Sequence, residues 1–200
     1  MKGLLTKKQK RQLISVVLTL IFAGGVWVAQ KQGWIEKPVE ESAVPIQQTD
    51  PGYYQVSKFE DGDTITVNLN GKNEKIRLIG VDTPETKDPR KPVQCFGQLA
   101  SDFTKSLIGT SQVRLAGDPT NSNRDKYDRL LRYVYLPDGR LVNAEIIKQG
   151  YGFAYITFPF QKMDEFKNYE KQAREQSLGL WGACELTPNS TGGFTPNAAD

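Results

Sequence analysis

The sequence predicts an α+β, mainly β domain: a closed barrel of five short strands with about three helices packed on it, preceded by one N-terminal apolar helix. Three observations carry this. Five short stretches have strand character, and Asn70-Gly71 closes the second of them with the strongest short hairpin signal between period-two runs. Helical patterns are inserted among and after them, at 94–108, 142–149 and 162–177. An uncharged run, Leu13 to Ala29, stands ahead of everything else.

In chain order, residues 1–11 carry five cations (Lys2, Lys7, Lys8, Lys10 and Arg11) and no acid, and Leu13 to Ala29 follows without a charge. A run of about 17 apolar or small residues is at the short end of what spans a bilayer. The basic side stays cytoplasmic by the positive-inside rule, which sends the rest of the chain outward. A cleaved secretory signal shares this layout, and a buried helix is the third reading. Gly25-Val26-Trp27-Val28-Ala29 lacks a clear small-x-small cleavage pattern, and Trp27 and Trp34 suit an interfacial belt, so a transmembrane anchor at 12–29 is favoured over a signal segment. Anchor and signal alike place the working domain outside the cytoplasm, tethered in the first case and secreted in the second. Residues 30–51 mix Gln, Glu, Pro and Ser without a period and read as a linker. The domain itself is expected at 52–186, within the usual single-domain range. Residues 187–200, rich in Pro, Asn, Gly and Thr, read as a flexible tail.

Within the domain, Tyr53 to Phe59 alternates, and Ile65, Val67 and Leu69 alternate with Thr66 and Asn68. Lys75 to Val81 supplies a third strand, with Gly80 as a bulge or a close approach. Gln94 to Ile108 has Leu99, Phe103 and Leu107 at fourfold spacing and reads as an amphipathic helix. Gln112–Ala116 and Leu130–Leu136 are further strands, the latter turned by Pro137-Asp138-Gly139. Val142 to Gln149 reads as a short helix stopped by Gly150, and Lys162 to Ser177 as a longer charged one stopped near Gly179. This order fits a small barrel of the OB-fold type.

The chain has 200 residues, two cysteines and no histidine. Mechanisms that need an imidazole base, nucleophile or metal ligand are therefore excluded, and two cysteines cannot complete a zinc cage. Catalysis here has to run on carboxylates, guanidinium groups, hydroxyls and a hard metal ion. The formal charge of +3 decides nothing about partners: seven basic and four acidic residues fall in positions 1–50, which leaves 19 of each in 51–200.

Two acidic clusters bracket the second and third strands, Asp61-Gly62-Asp63-Thr64 and Asp82-Thr83-Pro84-Glu85-Thr86. In a meander these ends can meet and offer Asp63, Asp82 and a backbone carbonyl to one hard cation such as Ca²⁺ or Mg²⁺. For each cluster alone the ordinary account is a tight turn or a capping loop, since Asp, Gly and Thr are common turn residues. Arg77 lies in an otherwise apolar strand, where the ordinary account is a side chain turned to solvent. Arg129, after the polar loop Asp125-Lys126-Tyr127-Asp128, is equally well a surface ion pair. As a set they match the needs of phosphodiester hydrolysis without histidine: a cation and two guanidinium forks for the phosphate charge, and Glu85 to orient or deprotonate water.

DGDT, IRLIGVDTPET, DKYDRLLRYVY and VNAEIIKQGYGFAY occur in an order and spacing that resembles the staphylococcal nuclease (thermonuclease) family, from about Tyr54 to Trp181. The resemblance implies an OB-fold barrel with packed helices, Ca²⁺ dependence, and hydrolysis of DNA and RNA to products with a 3′-phosphate. It assigns Asp63, Asp82 and the Thr83 carbonyl to the metal, Glu85 to the general base, and Arg77 and Arg129 to phosphate. Lys126 and Tyr127 match the pair that holds a terminal phosphate, and Tyr155 one of two tyrosines that flank the nucleotide. Two positions depart from the family pattern: Thr157 replaces the second tyrosine, and Asp128 stands where a glycine usually precedes the second arginine. Non-catalytic relatives characteristically lose the acids and arginines, and none of the five is lost here.

Cys95 and Cys184 are a candidate disulfide in an extracytoplasmic chain, the alternative being two separate buried thiols. The expected state is a monomer. The competing functional class is a non-catalytic OB-type module that binds single-stranded nucleic acid. A structural envelope anchor, the third, leaves the acid and arginine set unexplained.

Overall fold

The computed structural model describes residues 7–8, 49–88, 92–190 and 193–199. The chain divides between Val44 and Pro45 into two units. Of the first, only Lys7 and Lys8 are described, and both are helical. The segment 12–29, with the anchor expected there, lies outside the described residues, as does most of the 30–51 linker. No helix among the described residues is long and apolar enough to cross a membrane.

The second unit runs β1 (Thr49–Phe59), β2 (Thr64–Leu69), β3 (Lys72–Leu78), β4 (Val81–Asp82), α1 (Gly97–Ile108), β5 (Gln112–Ala116), β6 (Leu130–Tyr135), α2 (Val142–Lys148), β7 (Phe153–Ala154), α3 (Met163–Glu175), α4 (Leu180–Ala183), β8 (Leu186–Pro188) and β9 (Phe194–Pro196). Five strands close a barrel in the order β1-β2-β3-β6-β5. β3 and β6 are parallel, and the other neighbours are antiparallel. β1 is long because it serves two neighbours: Thr49 to Gln55 pair with β5, Val56 to Phe59 with β2, and the register shifts within each pairing. Alternation in β2, β3 and β5 puts Ile65, Val67, Ile76, Leu78, Val113 and Leu115 inside, none more than 1% exposed. Each such side chain contributes roughly 1.5–3 kcal/mol of transfer free energy.

Lys75 to Val81, expected as one strand, is two. β3 ends at Leu78, Ile79 and Gly80 turn, and β4 leaves the barrel to pair with β7. The turn is built from both sides. Buried Asn143 on α2 donates to the Ile79 carbonyl at 2.9 Å and accepts from the Val134 amide at 2.9 Å. Gly80 has φ 71°, and a Cβ there would stand 2.5 Å from the Phe160 ring. Backbone and aromatic core thus approach more closely than any side chain allows. β4 is thereby aimed away from the barrel, which carries Asp82 toward the start of β2.

Of the stripe read for the first helix, Phe103 and Leu107 pack on the core, while Leu99 is 53% exposed. The fully buried positions are Ala100, Thr104 and Ile108, and the Thr104 hydroxyl donates to the Gly62 carbonyl at 2.7 Å, which ties the helix to the turn before β2. Residues 187–190 and 193–199 hold more order than their composition predicts. β8 and β9 form a hairpin, the Phe194 ring lies 5.2 Å from Trp181 and 6.3 Å from Phe153, and Asn197 bonds to Cys95 and Glu185. Polar turn composition is as compatible with a pinned hairpin as with a loose end once aromatic rings are there to cover it. Beside it Cys95 and Cys184, 89 residues apart with Cα atoms 5.9 Å apart, are bonded.

Reducing that disulfide, or replacing both cysteines by alanine, is expected to lower unfolding free energy by roughly 3–4 kcal/mol, because a loop of this length regains its freedom in the unfolded chain. Urea unfolding with and without reductant measures this, and a loss under 1 kcal/mol contradicts it. A second expectation concerns Glu74 on β3, held down to about 2 from an ordinary 4.5 by hydrogen bonds from Arg124 at 2.9 Å and from Lys72, against the opposing effect of burial. Because the folded-state value is depressed, the stabilisation is complete above the unfolded value and is lost as pH falls from about 4.5 toward 2. Glu74→Gln should flatten the stability profile across that window, measured by unfolding at pH 2 to 6.

Candidate active site

One open cleft of about 430 Å³ gathers most of the residues singled out above: Asp63, Arg77, Asp82, Thr83, Glu85, Tyr127 and Arg129, with Asp61, Lys75 and Pro84. It lies where the 61–63 turn meets β4. Gly62 makes that meeting possible, since a Cβ there would stand 2.8 Å from the Thr83 side chain.

Arg77 joins the two acidic clusters. From β3 its Nη1 reaches Asp63 Oδ2 at 3.0 Å and the Val81 carbonyl at 2.6 Å, and its Nη2 reaches Asp82 Oδ1 at 3.1 Å. The side chain is only 14% exposed, so the solvent-facing alternative is excluded. Burial opposes its charge, and Asp63, Asp82, Asp61 and Tyr155 outweigh that, holding it above the ordinary guanidinium value. One planar group spanning both carboxylates brings Asp63 and Asp82 to the same place. Asp63 is fixed further by the Thr83 amide on Oδ2 at 3.0 Å and the Thr64 hydroxyl on Oδ1 at 2.9 Å. Asp61 accepts from the Asp63 amide at 3.1 Å, and burial followed by the charge of Asp63 pushes its carboxyl up to about 7.

Arg129 is aligned rather than free. Its Nε and Nη2 both bond Asp125 Oδ2 at 2.7 Å, and its Nη1 meets the Thr64 hydroxyl at 3.3 Å. Asp125 Oδ1 in turn accepts the amides of Tyr127 and Arg129 at 2.9 and 3.0 Å, which folds the loop around the arginine. Glu85 is held by its backbone and its carboxylate together. Gln94 Oε1 accepts its amide at 2.7 Å and the Gln94 amide donates to its carbonyl at 2.9 Å, while Glu85 Oε1 accepts the amides of Thr86, Lys87 and Asp88.

Lys126 and Tyr155 are not among the lining residues. Lys126 sits over the Tyr127 ring, 5.0 Å from its centre, with Arg129 at 5.3 Å from the same ring. Tyr155 follows β7, and its amide donates to the Gly80 carbonyl at 2.9 Å. Thr157 is exposed, and the aromatic neighbour of Tyr155 is Phe158, ring centres 6.1 Å apart and 59% exposed. Asp128 adopts φ 64°, the left-handed region that a glycine enters freely and an aspartate tolerates. Its charge is shared with Arg124 at 3.5 Å rather than with Arg129.

Asp61 and Thr64 were read only as part of the first acidic cluster, and Lys75, Gln94 and Asp125 were given no role by sequence reasoning. Asp125, four residues before Arg129 in a turn, carried a readable signal for an ion pair. The roles of the others had none, because they depend on which turns meet. The donors fit a hard cation: all are oxygens, and two carboxylates are drawn together. Among the described residues no group of three or more carboxylate or sulfur side chains is placed to hold one ion, so the rest of any coordination shell falls to backbone oxygen and water.

A family model described as Staphylococcal nuclease homologue matches residues 75–183, more than half of the chain. The chain is 40% identical over 129 residues to a thermonuclease of Staphylococcus intermedius, covering 64% of this chain and 75% of that one. It is 42% identical over 131 residues to endonuclease YncB of Bacillus subtilis (strain 168), covering 64% of this chain and 61% of the relative. The SPbeta prophage-derived endonuclease YokF of the same organism is 42% identical over 123 residues, 60% of this chain and 41% of the relative. The chain thus spans less than two thirds of the length of the two Bacillus proteins. The matched segment begins at Lys75 in β3 and ends at Ala183 in α4, so it contains Arg77, β4 and the loop bearing Arg129, and the turn before β2 that carries Asp61 and Asp63 precedes it. This chain belongs to the staphylococcal nuclease family.

Proposed function

We propose that the chain is a Ca²⁺-dependent phosphodiesterase that hydrolyses DNA and RNA to products bearing a 3′-phosphate, outside the cytoplasm. The observation that carries this reading is the convergence of Arg77, Arg129 and Glu85 with Asp63 and Asp82 on one open cleft. Relatives named thermonuclease and endonuclease support the class of reaction.

Asp63 and Asp82, with the Thr83 carbonyl, are the residues that hold Ca²⁺, which when bound supplies neutralisation of phosphate charge. The cleft needs that charge. Four acids and three bases line it, so carboxylates already offset the charge of its cations before a polyanion enters. Arg77 and Arg129 present paired N–H donors to the non-bridging oxygens of the scissile phosphate, where charge builds in the transition state. Both are already oriented by carboxylates, so little reorganisation accompanies the reaction. Glu85 takes a proton from the attacking water as its oxygen bonds to phosphorus. The P–O5′ bond then breaks, and the 5′-oxygen leaves with a proton from solvent. Lys126 and Tyr127, beside Arg129, hold a terminal phosphate, and Tyr155 flanks the nucleotide.

The external location rests on the basic N-terminal segment followed by the uncharged run, and on the Cys95–Cys184 bond, which an oxidising compartment preserves. In the full chain, solubilised in non-ionic detergent, cleavage of single-stranded and duplex DNA is expected in Ca²⁺ and not in chelator. Glu85→Gln should lower kcat roughly 10²- to 10⁴-fold, and Arg129→Lys roughly 10²- to 10³-fold because the second paired donor is lost. Circular dichroism should show both variants folded. DNA retained but never cut, under any ion, would instead identify an OB-type binding module.

A further inference from the structure

Lys75 lines the same cleft and is used by nothing described so far. It sits on β3 two residues before Arg77, and alternation puts both on one face of the strand, opposite Thr66 and Thr64 of β2 respectively. Its side chain is exposed, and among the described residues it makes no ion pair within 4 Å. Glu60 feels its charge but is bonded to Lys58 at 2.6 Å and to the Thr66 hydroxyl at 3.0 Å. The other two cations of the cleft are held in place by carboxylates, Arg77 by Asp63 and Asp82 and Arg129 by Asp125, and are the pair assigned above to the scissile phosphate. Lys75 is therefore the lining cation left for a further group of the ligand.

Distance decides which ligand group it meets. Residues i and i+2 on a strand are about 6.6–6.8 Å apart, close to the separation of successive phosphates on an extended single strand. With one phosphate against Arg77, its neighbour comes to Lys75. A point charge on a flexible stem suits that task, since the neighbouring phosphate has to be attracted rather than held in one geometry.

We propose that Lys75 is a second-phosphate contact, binding the phosphate next to the scissile one and so favouring polynucleotides over substrates with a single phosphodiester. This rests on the nuclease reading, and the test separates the two. Binding of a fluorescently labelled single-stranded decadeoxynucleotide is measured by anisotropy in Ca²⁺ between 50 and 200 mM salt, using the full chain carrying Glu85→Gln so that nothing is cut. Adding Lys75→Gln should weaken binding roughly 3- to 10-fold and reduce the slope of log K against log salt by about 0.7, the value for one phosphate contact on a single strand. Lys75→Arg should restore both. In the cleaving chain, Lys75→Gln should raise KM for the decanucleotide while kcat holds. An unchanged salt slope, or a kcat that falls in proportion to kcat/KM, overturns the proposal, the latter by placing Lys75 at the scissile phosphate. Failure of the unsubstituted chain to cut would sink the nuclease reading while the slope still decides the contact.

Discussion

Arg77 carries a charge into a place with little water, and the geometry of the cleft follows from how that charge is matched. An isolated buried guanidinium is costly, and so are the carboxylates around it. Bonded to Asp63, Asp82 and the Val81 carbonyl, it offsets both penalties at once. Those partners come from the turn before β2 and from β4, at opposite ends of the unit that Arg77 itself occupies. Remove the guanidinium and Asp63, Asp82 and Asp61 are left as neighbouring negative charges with nothing between them. The residue is thus structural and functional through the same contacts, and a loss of activity on its substitution does not by itself distinguish the two.

Around this centre each functional group is aimed by a second polar group, from its own loop or from a neighbouring strand. Asp125 fixes Arg129, Thr64 links Arg129 to Asp63, and Gln94 clamps both backbone groups of Glu85. Thr104 ties α1 to the turn that carries Asp63. The Cys95–Cys184 bond begins one residue after Gln94, so the loop bearing Glu85 is anchored to the end of the domain as well as to the barrel. Orientation is distributed over rigid elements, which is how a site keeps its geometry without a metal or substrate present.

The barrel strands were legible because one face of each is buried, and period two follows from that. Asn70-Gly71 was legible for its turn geometry alone: both residues have positive φ. What the sequence hid depends on contacts between distant segments. Val81 and Asp82 look like the end of a β3 strand, and only the approach of Phe160 and the Asn143 amide turns them outward. Leu99 looks like core at the same spacing as Phe103 and Leu107, which do pack on it, yet stands in the first turn of the helix and is exposed. The acidic clusters were recognisable as a set, but their convergence depended on Arg77, which read equally well as a surface charge. Gln94 escaped notice because its role depends on the fold of the loop that brings it back to Glu85, nine residues earlier.

The division of labour among the cations has a physical logic under the proposed function. Arg77 and Arg129 are held in place before any ligand arrives, so their cost of ordering falls on folding rather than on binding. Their positions suit a transition state, where misplacement by an ångström is expensive. Lys75 and Lys126 make no such commitments in the structure, and Tyr127, 67% exposed at the rim, is the surface that a mobile strand meets first. Flexible charges at the rim can follow a polymer whose path differs between DNA and RNA or between single and double strands, while the floor does not move. A cleft built with fixed forks at its base and free ammonium groups at its edge can therefore accept varied polynucleotides without loosening the geometry at the one phosphate that reacts.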